Sequence, residues 1–357
     1  MHMTDALLSP AVGGTMWALS AAALALAVKK TAGGGQVTGG FPSGGFPSNG
    51  LSPEGLSSGG FDEKKVPLMG IMGAFVFAGQ MINFTIPGTG SSGHIGGGIL
   101  LAAILGPWPA LITLASVLLI QCLCFADGGL LAYGCNVFNM GVCSTLLAYL
   151  FLFRPIVKKN LNAKTITIAS VVSVVAGLQL GAFFVVLETL VSGITELPFG
   201  LFTALMQPIH LAIGLVEGIV SAAVLCFVYR ARPEILGGAV PAAPSAVSAK
   251  KVLAVFAALT LVTAGVLSLF ASAYPDGLEW SMERTAGTAE LERDGPVYAA
   301  ASSLVEGTAF MPDYNFKNGE SAAGTSAAGI AGSVVTVILA GGIGLLIRAA
   351  RARKKPS

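Results

Sequence analysis

The feature of this sequence that most constrains its fold is a series of long apolar runs separated by short segments that carry nearly all of the charge. Only 11% of the 357 residues are charged, whereas an average soluble domain carries roughly a quarter. Runs of about 18 or more apolar residues are long enough to cross a bilayer as helices. The chain is therefore predicted to be an all-α, polytopic integral membrane protein. A soluble enzyme, a disordered chain and a nucleic-acid binder all fit this composition poorly.

Apolar length divides the chain into nine membrane segments. A short apolar stretch, 95–106, ends at the helix breaker Gly106-Pro107 and is counted as a segment of its own. With the N-terminus outside, this count places 17 of the 20 Lys and Arg residues inside or at the inner boundary, as the positive-inside rule requires. Merging the short stretch with its successor would put Lys158 and Lys159 outside. The eight full spans are predicted at about 6–28, 67–86, 108–125, 131–153, 164–190, 206–229, 252–273 and 325–347.

The connecting segments divide the chain into two domains. A linker at 233–251, rich in Ala, Pro and Ser, separates the seven segments of 1–232 from a two-span module at 252–357. The first domain includes a glycine-rich cytoplasmic loop at 31–62. The module includes an outer loop, 274–322, with nine of the chain's 18 acidic residues. This charge could attract cations, but ordinary solvation of an outer loop is the preferred interpretation.

The histidines are the residues most suited to bind a transition metal. The topology places His2 at the outer start of the first span and His94 at the outer start of the third, so that both rings meet the same membrane face. The basic pair Lys29-Lys30 follows the first apolar run, and nothing basic precedes it, which is unlike a signal peptide. The mature chain is therefore expected to begin at Met1.

A free amino terminus next to a histidine offers three nitrogens from two residues. The Met1 amine, the deprotonated amide of His2 and a ring nitrogen of His2 could form fused chelate rings that lie nearly in one plane. A fourth nitrogen from His94 would complete a square-planar set, which favours Cu(II) or Ni(II) over Zn(II). The alternative is that the position of His2 is accidental and that His94 merely caps a helix.

The segment before His94 is rich in glycine. Residues 88–93 match the pattern G-x-G-x-x-G. A dinucleotide site is rejected, because that fingerprint needs a preceding strand, a following helix and an acidic residue about 20 positions later. A membrane span is expected before this segment instead. The preferred interpretation is a turn that dips back toward the membrane and holds His94 at a fixed depth.

Several motifs in order along the chain resemble the CbiM/NikM family, the substrate-binding membrane components of energy-coupling-factor transporters for cobalt and nickel. After the linker, Pro-Asp-Gly-Leu-Glu at 275–279 resembles the signature of the two-span accessory component of NikN or CbiN type. The motifs of the first domain are Met-His at the N-terminus, Gly-Ser-Ser-Gly-His-Ile-Gly-Gly-Gly at 90–98, Gly-Pro-Trp at 106–108, Phe-Ala-Asp-Gly-Gly-Leu at 125–130, Asn-Val-Phe-Asn-Met at 136–140 and His-Leu-Ala-Ile-Gly-Leu-Val-Glu-Gly at 210–218.

The resemblance implies a seven-segment S-component bundle plus two further transmembrane helices. It implies a metal ion held by the Met1 amine, the His2 amide and ring, and His94. It also implies a coupling transmembrane T subunit and cytoplasmic ABC ATPases as partners. The loop at 31–62 is longer than the family typically has, which leaves the contacts of the cytoplasmic face in doubt and not the metal site.

Other polar side chains inside the membrane segments need partners, because burying them is costly. Glu217 is taken as the one isolated acid in the middle of a span. His210 and Glu217 share a helix face about 10 Å apart, and a packing role is favoured for both over a role in metal transit or partner contact. Four amides could orient a metal-binding ring or bridge helices equally well. These are Gln80, Asn83, Asn136 and Asn139.

The sequence predicts a transport subunit and no enzyme. It contains no G-x-x-x-x-G-K-[ST] phosphate loop, so ATP hydrolysis is expected on a partner chain. The leading hypothesis is import of Ni(II) across a prokaryotic cell membrane, with the N-terminus outside and the C-terminus in the cytoplasm. Alternatives are the same role for Co(II) in cobalamin supply, or a proton-coupled secondary metal carrier. An intramembrane enzyme is disfavoured, since three scattered histidines provide no catalytic motif.

Overall fold

The computed structural model describes residues 2–33, 65–236, 248–289, 291–317, 319 and 321–352. Met1, most of the glycine-rich loop 31–62 and the centre of the linker 233–251 lie outside the described residues. Six helices are long and apolar enough to cross a membrane, by length and composition. They are α1 (Pro10–Ala32), α4 (Pro107–Phe125), α5 (Tyr133–Lys159), α6 (Ala163–Ser192), α7 (Phe199–Ala231) and α11 (Ala322–Ala352).

The remaining elements are shorter. A two-stranded antiparallel hairpin, β1 (Phe84–Ile86) and β2 (Ser91–Gly93), is the only sheet in the described part of the chain. The helices are α2 (Lys65–Gln80), α3 (Gly98–Leu105), α8 (Ala249–Gly265), α9 (Gly277–Ala286) and α10 (Pro296–Thr308). The predicted all-α, polytopic membrane fold is confirmed.

The first span begins later than predicted. Residues 6–9 were expected in the membrane helix, but α1 starts at Pro10, and the Ser9 side chain accepts a hydrogen bond of 3.4 Å from the Val12 N–H. Ser at the N-cap followed by Pro is a strong start signal, because Pro has no N–H to leave unsatisfied and its φ is already helical. Residues 2–9 are thereby released from the helix and fold inward, where Met3 and Leu7 are fully buried.

The second span ends earlier than predicted. Residues 81–86 were expected in the helix, but α2 ends at Gln80 and the chain turns into the hairpin. Gly88 and Gly90 both have positive φ, 78° and 77°, which a turn of this kind requires and which glycine adopts without strain. The hairpin places a strand before 88–93, where a membrane span was expected. The chain after it continues as a loop to α3 and not directly as a helix.

The short segment 95–106 is a separate helix, α3, of eight residues, all of them buried. Its length of about 12 Å is too short to span a bilayer alone, so the prediction of nine crossings requires the residues that flank α3 to extend this segment. The helix lies among α4, α5 and α7 and starts just after His94, so that the loop bearing His94 leads into the buried interior.

Small residues allow the long helices to approach closely. In α7, a Cβ at Gly218 would lie 2.8 Å from the Cα of Val171 in α6. In α2, a Cβ at Gly70 would lie 3.1 Å from the carbonyl oxygen of Val337 in α11. Because α11 packs along α2 in this way, the C-terminal helices are integrated with the rest of the bundle.

Candidate metal site

Two histidines far apart in the sequence meet at one end of the bundle. The rings of His2 and His94 are stacked, with their centroids 5.3 Å apart and their planes 16° apart. The His2 side chain is only 9% exposed. The predicted convergence of the N-terminus and the glycine-rich loop is therefore present in the fold.

The N-terminal segment is held in place by backbone pairing with an asparagine. The backbone N–H of Met3 donates to Oδ1 of Asn136 at 2.7 Å, and Nδ2 of Asn136 donates back to the Met3 carbonyl at 3.1 Å. The Gly129 N–H also donates to that carbonyl, at 2.9 Å. These bonds satisfy the polar groups of a buried, irregular segment and fix the position of the adjacent His2.

A chain of side-chain amides connects His2 to the loop after His94. Gln80 Nε2 donates to the Gly96 carbonyl at 2.9 Å, and Gln121 Nε2 donates to Gln80 Oε1 at 2.9 Å. His2 Nε2 lies 3.2 Å from Gln121 Oε1. The Gly96 carbonyl can only accept, so it fixes the orientation of the Gln80 amide and, through it, that of the Gln121 amide. Oε1 of Gln121 is then an acceptor, and His2 must donate to it through Nε2.

The other ring nitrogen of His2 faces a carboxylate. Nδ1 of His2 lies 3.3 Å from Oδ1 of Asp127, and the hydroxyl of Tyr314 donates to Oδ2 of the same carboxylate at 2.5 Å. Burial lowers the pKa of His2, which disfavours the doubly protonated ring. In the neutral ring with its proton on Nε2, the lone pair of Nδ1 faces the Asp127 carboxylate and is repelled by it. A cation bound between these two groups would remove that repulsion.

His94 is held as a neutral imidazole. Its Nδ1 lies 3.1 Å from the carbonyl oxygen of the next residue, Ile95, and therefore donates to it, which leaves the lone pair on Nε2. Burial, together with the nearby His2 ring, lowers the pKa of His94 to about 3. The neutral form that can bind a metal ion is thus present throughout the neutral pH range.

The loop of the C-terminal module docks on the hairpin that precedes His94. The Ser92 N–H donates to the Pro275 carbonyl at 2.8 Å, and its hydroxyl donates to the Tyr274 carbonyl at 2.7 Å. The Trp280 indole donates to the Thr89 carbonyl at 3.0 Å. The module therefore contacts the main body directly beside the two histidines.

Asp276 begins α9 and also borders the histidine site. Its carboxylate accepts from the backbone N–H groups of Leu278 and Glu279, at 2.8 and 2.9 Å, and Glu279 completes the capping box. Burial alone would raise the pKa of Asp276, but its surroundings, including His94 and the Glu279 N–H, hold that pKa below its usual range. It remains ionised at neutral pH.

A cavity of about 590 Å³, called the outer cavity below, lies beside the two histidines, between the main body and the C-terminal module. His2, His94 and Asn83 line it from the main body. Five acidic residues also line it, namely Asp127, Asp276, Glu279, Glu292 and Asp313. Asp127 and Asp276 were not singled out from the sequence as site residues, although both belong to motifs that were recognised there.

The structure places the other candidate residues next to the histidine site. Oε1 of Glu217 accepts from the Gly97 N–H at 2.8 Å, so this buried acid holds the loop after His94. Nδ1 of His210 lies 2.7 Å from the carbonyl oxygen of Met206 in its own helix and donates to it. The two side chains do not pair with each other through any hydrogen bond found in the described residues.

One buried acid was missed by the sequence analysis. Glu217 was taken as the one acid within a span, but Glu188 in α6 is also buried, and its Oε2 accepts from Nδ2 of Asn139 at 2.7 Å. Asn139 also lies 3.7 Å from the sulfur of Met3. An acidic residue inside the predicted span 164–190 was the available signal, and it was overlooked.

Within the described residues, no three His, Cys, Asp or Glu side chains lie together as a metal site. A site at His2 and His94 therefore needs ligands of another kind, such as main-chain nitrogens. Met1, which was predicted to supply the amine, lies outside the described residues.

A bundle of apolar helices that encloses two stacked imidazoles at one end defines a polytopic membrane protein with a candidate metal site. Comparison with known families makes this more specific. The chain belongs to the CbiM family, described as the cobalt uptake substrate-specific transmembrane region, whose model matches residues 50–235. The PDGLE domain matches residues 250–349.

Individual relatives match different shares of the chain. The chain is 37% identical to the "Putative fused nickel transport protein NikMN" of Archaeoglobus fulgidus, over 78% of this chain and 85% of that protein. It is 32% identical to the "Cobalt transport protein CbiM" of Sorangium cellulosum, over 48% of this chain and 76% of that protein. A crystal structure of a transition metal transporter is 28% identical with a TM-score of 0.50, covering 64% of this chain and 93% of the other.

Proposed function

We propose that this chain is the substrate-binding membrane subunit of an energy-coupling-factor importer, and that it captures Ni(II) from outside the cell. The observation that carries the proposal is the stack of His2 on His94, because it brings the N-terminus to a second neutral imidazole. Ni(II) is the transported substrate in this proposal and not a resident cofactor.

Four nitrogens would hold the ion. They are the Met1 amine, the His2 amide, Nδ1 of His2 and Nε2 of His94. Nδ1 is the ring nitrogen of His2 that the hydrogen bond to Gln121 leaves without a proton, and it is also the one that closes a six-membered chelate ring with the His2 amide. A set of four nitrogens suits a square-planar d⁸ ion such as Ni(II).

Nickel is favoured over cobalt by this planar donor set and by the fused PDGLE module. The Archaeoglobus fulgidus relative, which has a fused arrangement, is named for nickel, whereas the Sorangium cellulosum relative is named for cobalt. Co(II) is the second candidate, because amine and imidazole nitrogens bind both ions.

Transport against a gradient would require partners. We propose a coupling transmembrane T subunit and cytoplasmic ABC ATPases, with this chain in a prokaryotic cell membrane, its N-terminus outside and its C-terminus inside. We further propose the domain division 1–232 for metal binding, 233–251 for the linker and 252–357 for the two-span module. Acidic side chains that line the outer cavity would face the incoming cation.

Blocking the amino terminus tests the proposed site. The purified full chain is compared with a variant that carries Gly-Ser before Met1, and both are titrated with Ni(II) and Co(II) in competition. The native chain should bind one Ni(II) tightly and give the yellow, diamagnetic species typical of a square-planar complex. The extended chain should lose this species, because the amine is no longer free to chelate.

The variant His94→Asn tests the fourth ligand. Asn can keep the donor that bonds the Ile95 carbonyl while removing Nε2, so loss of tight binding would report the ligand and not the fold. Equal affinity and spectra in the native, extended and His94→Asn chains would refute the site. Tighter binding of Co(II) than Ni(II) would reassign the substrate but leave the site in place.

A further inference from the structure

A second, smaller cavity, called the inner cavity, lies on the side of His94 that faces α5, α6 and α7. It has a volume of about 30 Å³ and is lined by His94, Asn139, His210, Glu217, Asp276 and Gly277, among others. His94 and Asp276 also line the outer cavity, so they form part of the wall between the two. About 10–15 Å³ is enough for one water-sized particle, so the inner cavity has room for about two.

Two buried side chains on this cavity have an acceptor atom without a hydrogen-bond partner. Among the described residues, neither Nε2 of His210 nor Oδ1 of Asn139 has a hydrogen-bond partner. Both residues are only 1% exposed. Buried polar atoms are normally paired, so two such atoms on one cavity indicate that something else occupies it.

Both unpaired atoms carry lone pairs. His210 donates through Nδ1 to the Met206 carbonyl, which can only accept, so the lone pair of the neutral ring is on Nε2. Asn139 donates through Nδ2 to the carboxylate of Glu188, so its unpaired atom is the carbonyl oxygen. An occupant must therefore be a cation or a hydrogen-bond donor, and one nitrogen and one oxygen are suitable ligands for a borderline divalent ion.

The PDGLE motif closes this cavity. A Cβ at Gly277 would lie 3.0 Å from Cε1 of His210 and 3.3 Å from its Nε2. A larger residue at this position would force the ring or α9 to shift by a few tenths of an ångström. The module thus lies against His210 as well as against the hairpin that precedes His94.

We propose that the inner cavity is a second metal station, in which Nε2 of His210 and Oδ1 of Asn139 bind the transported divalent cation, together with one water, after it leaves His2. His94, which lines both cavities, stays in reach of the ion during this step. The inference rests on the proposed function, since the cation is the one captured at the outer histidines. With two protein ligands in place of four, the inner station binds more weakly and can pass the ion on.

Ni(II) binding to the full chain in lipid nanodiscs tests this station, with the outer site disabled by Gly-Ser before Met1. The extended chain should retain one Ni(II) site, at least tenfold weaker than the site of the native chain. Adding His210→Asn should weaken this residual site at least tenfold further, because Asn can keep the bond to Met206 but has no counterpart of Nε2. Gly277→Ala, which crowds the ring, should weaken it as well.

Two controls separate the inner station from the outer site and from misfolding. His210→Asn in the unextended chain should keep the native helical circular dichroism and elute as a single species, which shows that the variant folds. Gln179→Leu removes a polar group of α6 that bonds the Gln207 carbonyl of α7, the helix that also holds His210, and it should leave the residual site unchanged.

The outcomes are distinguishable. No residual site in the extended chain, or a residual site indifferent to His210→Asn, would mean that the cavity holds only water and would overturn the inner station. The outer site would still stand in both cases. If the extension does not weaken tight binding at all, the proposed function fails first, whatever the effect of His210→Asn.

Discussion

Ser92 and Pro275 are joined by a hydrogen bond of 2.8 Å from the Ser92 N–H to the Pro275 carbonyl, although they lie in different parts of the chain. This bond ties the C-terminal module to the strand that ends one residue before His94. It also gives a physical role to the motif at 275–279. Pro275 supplies an acceptor, Asp276 and Glu279 cap α9, and Gly277 allows the close approach to His210.

Removing the cap of α9 should loosen the docked module locally. In Asp276→Ala, the N–H groups of Leu278 and Glu279 lose their acceptor, which costs about 1 kcal/mol for an N-cap. Amide hydrogen exchange over 277–286 should therefore become about fivefold faster. Asp276→Asn keeps an acceptor oxygen and should exchange like the native chain. Equal protection in the Ala and Asn variants would show that the cap does not hold this helix.

Breaking the amide chain should weaken metal binding without removing a ligand. Gln121→Leu deprives His2 of the acceptor that fixes its proton on Nε2, so Ni(II) affinity should fall about 10- to 100-fold, as is usual for groups that orient metal ligands. Competition titration measures this loss. Ser116→Ala, on the same helix, removes a hydroxyl that donates to the Ile112 carbonyl of that helix, and this variant should bind Ni(II) normally. If Gln121→Leu bound Ni(II) with native affinity, the amide chain would not orient His2 for metal binding.

Two glycine substitutions should have opposite effects on stability. A Cβ at Gly134 would lie 2.4 Å from the backbone nitrogen of Trp17, and the backbone of α1 cannot yield easily. Gly134→Ala should therefore cost about 1–3 kcal/mol of unfolding free energy in mixed micelles. For Gly14, in α1, no described atom lies within 4 Å of the added Cβ, so Gly14→Ala should be neutral or stabilising by up to about 1 kcal/mol. Similar effects of the two would argue against the close packing of α1.

The overlooked acid should prove structural. Glu188→Leu leaves the buried Nδ2 of Asn139 without its acceptor and should lower the unfolding free energy by about 1–3 kcal/mol. Glu188→Gln keeps an acceptor oxygen and should lose less than half of that amount. Unfolding of both variants in mixed micelles measures these free energies. If Leu and Gln were equally tolerated, the bond to Asn139 would have no role in holding the fold.

The approximate positions of the apolar segments could be predicted from the sequence, although six helices of the described residues, and not eight, are long and apolar enough to span a membrane. A run of about 20 apolar residues can do little else than become a buried or membrane-spanning helix, because a bilayer has no partner for unpaired backbone groups. The local start signal Ser9-Pro10 was also readable, although the apolar run beginning at residue 6 concealed it. The end of α2 was concealed in a similar way, because apolar residues continue beyond Gln80 into strand β1.

The residues of the candidate site were identifiable by type but not by geometry. Met1, His2 and His94 were chosen because few other groups can bind a transition metal, and the structure places the two imidazoles in contact. The role of Gln121 could not be inferred, because a glutamine inside a span has many conceivable partners. The hydrogen bond that defines its role joins two positions 119 residues apart.

The sequence by itself determined that this chain is a polytopic helical membrane protein with histidines beside two different apolar segments, because apolar length and residue chemistry act locally. The tertiary structure alone decided that Gln80 and Gln121 orient His2, that Gly277 touches His210, and that a small cavity with two unpaired acceptors lies behind His94. Each of these depends on how helices pack, and packing is fixed by contacts between residues that are distant in the chain and leave no periodic signal in it.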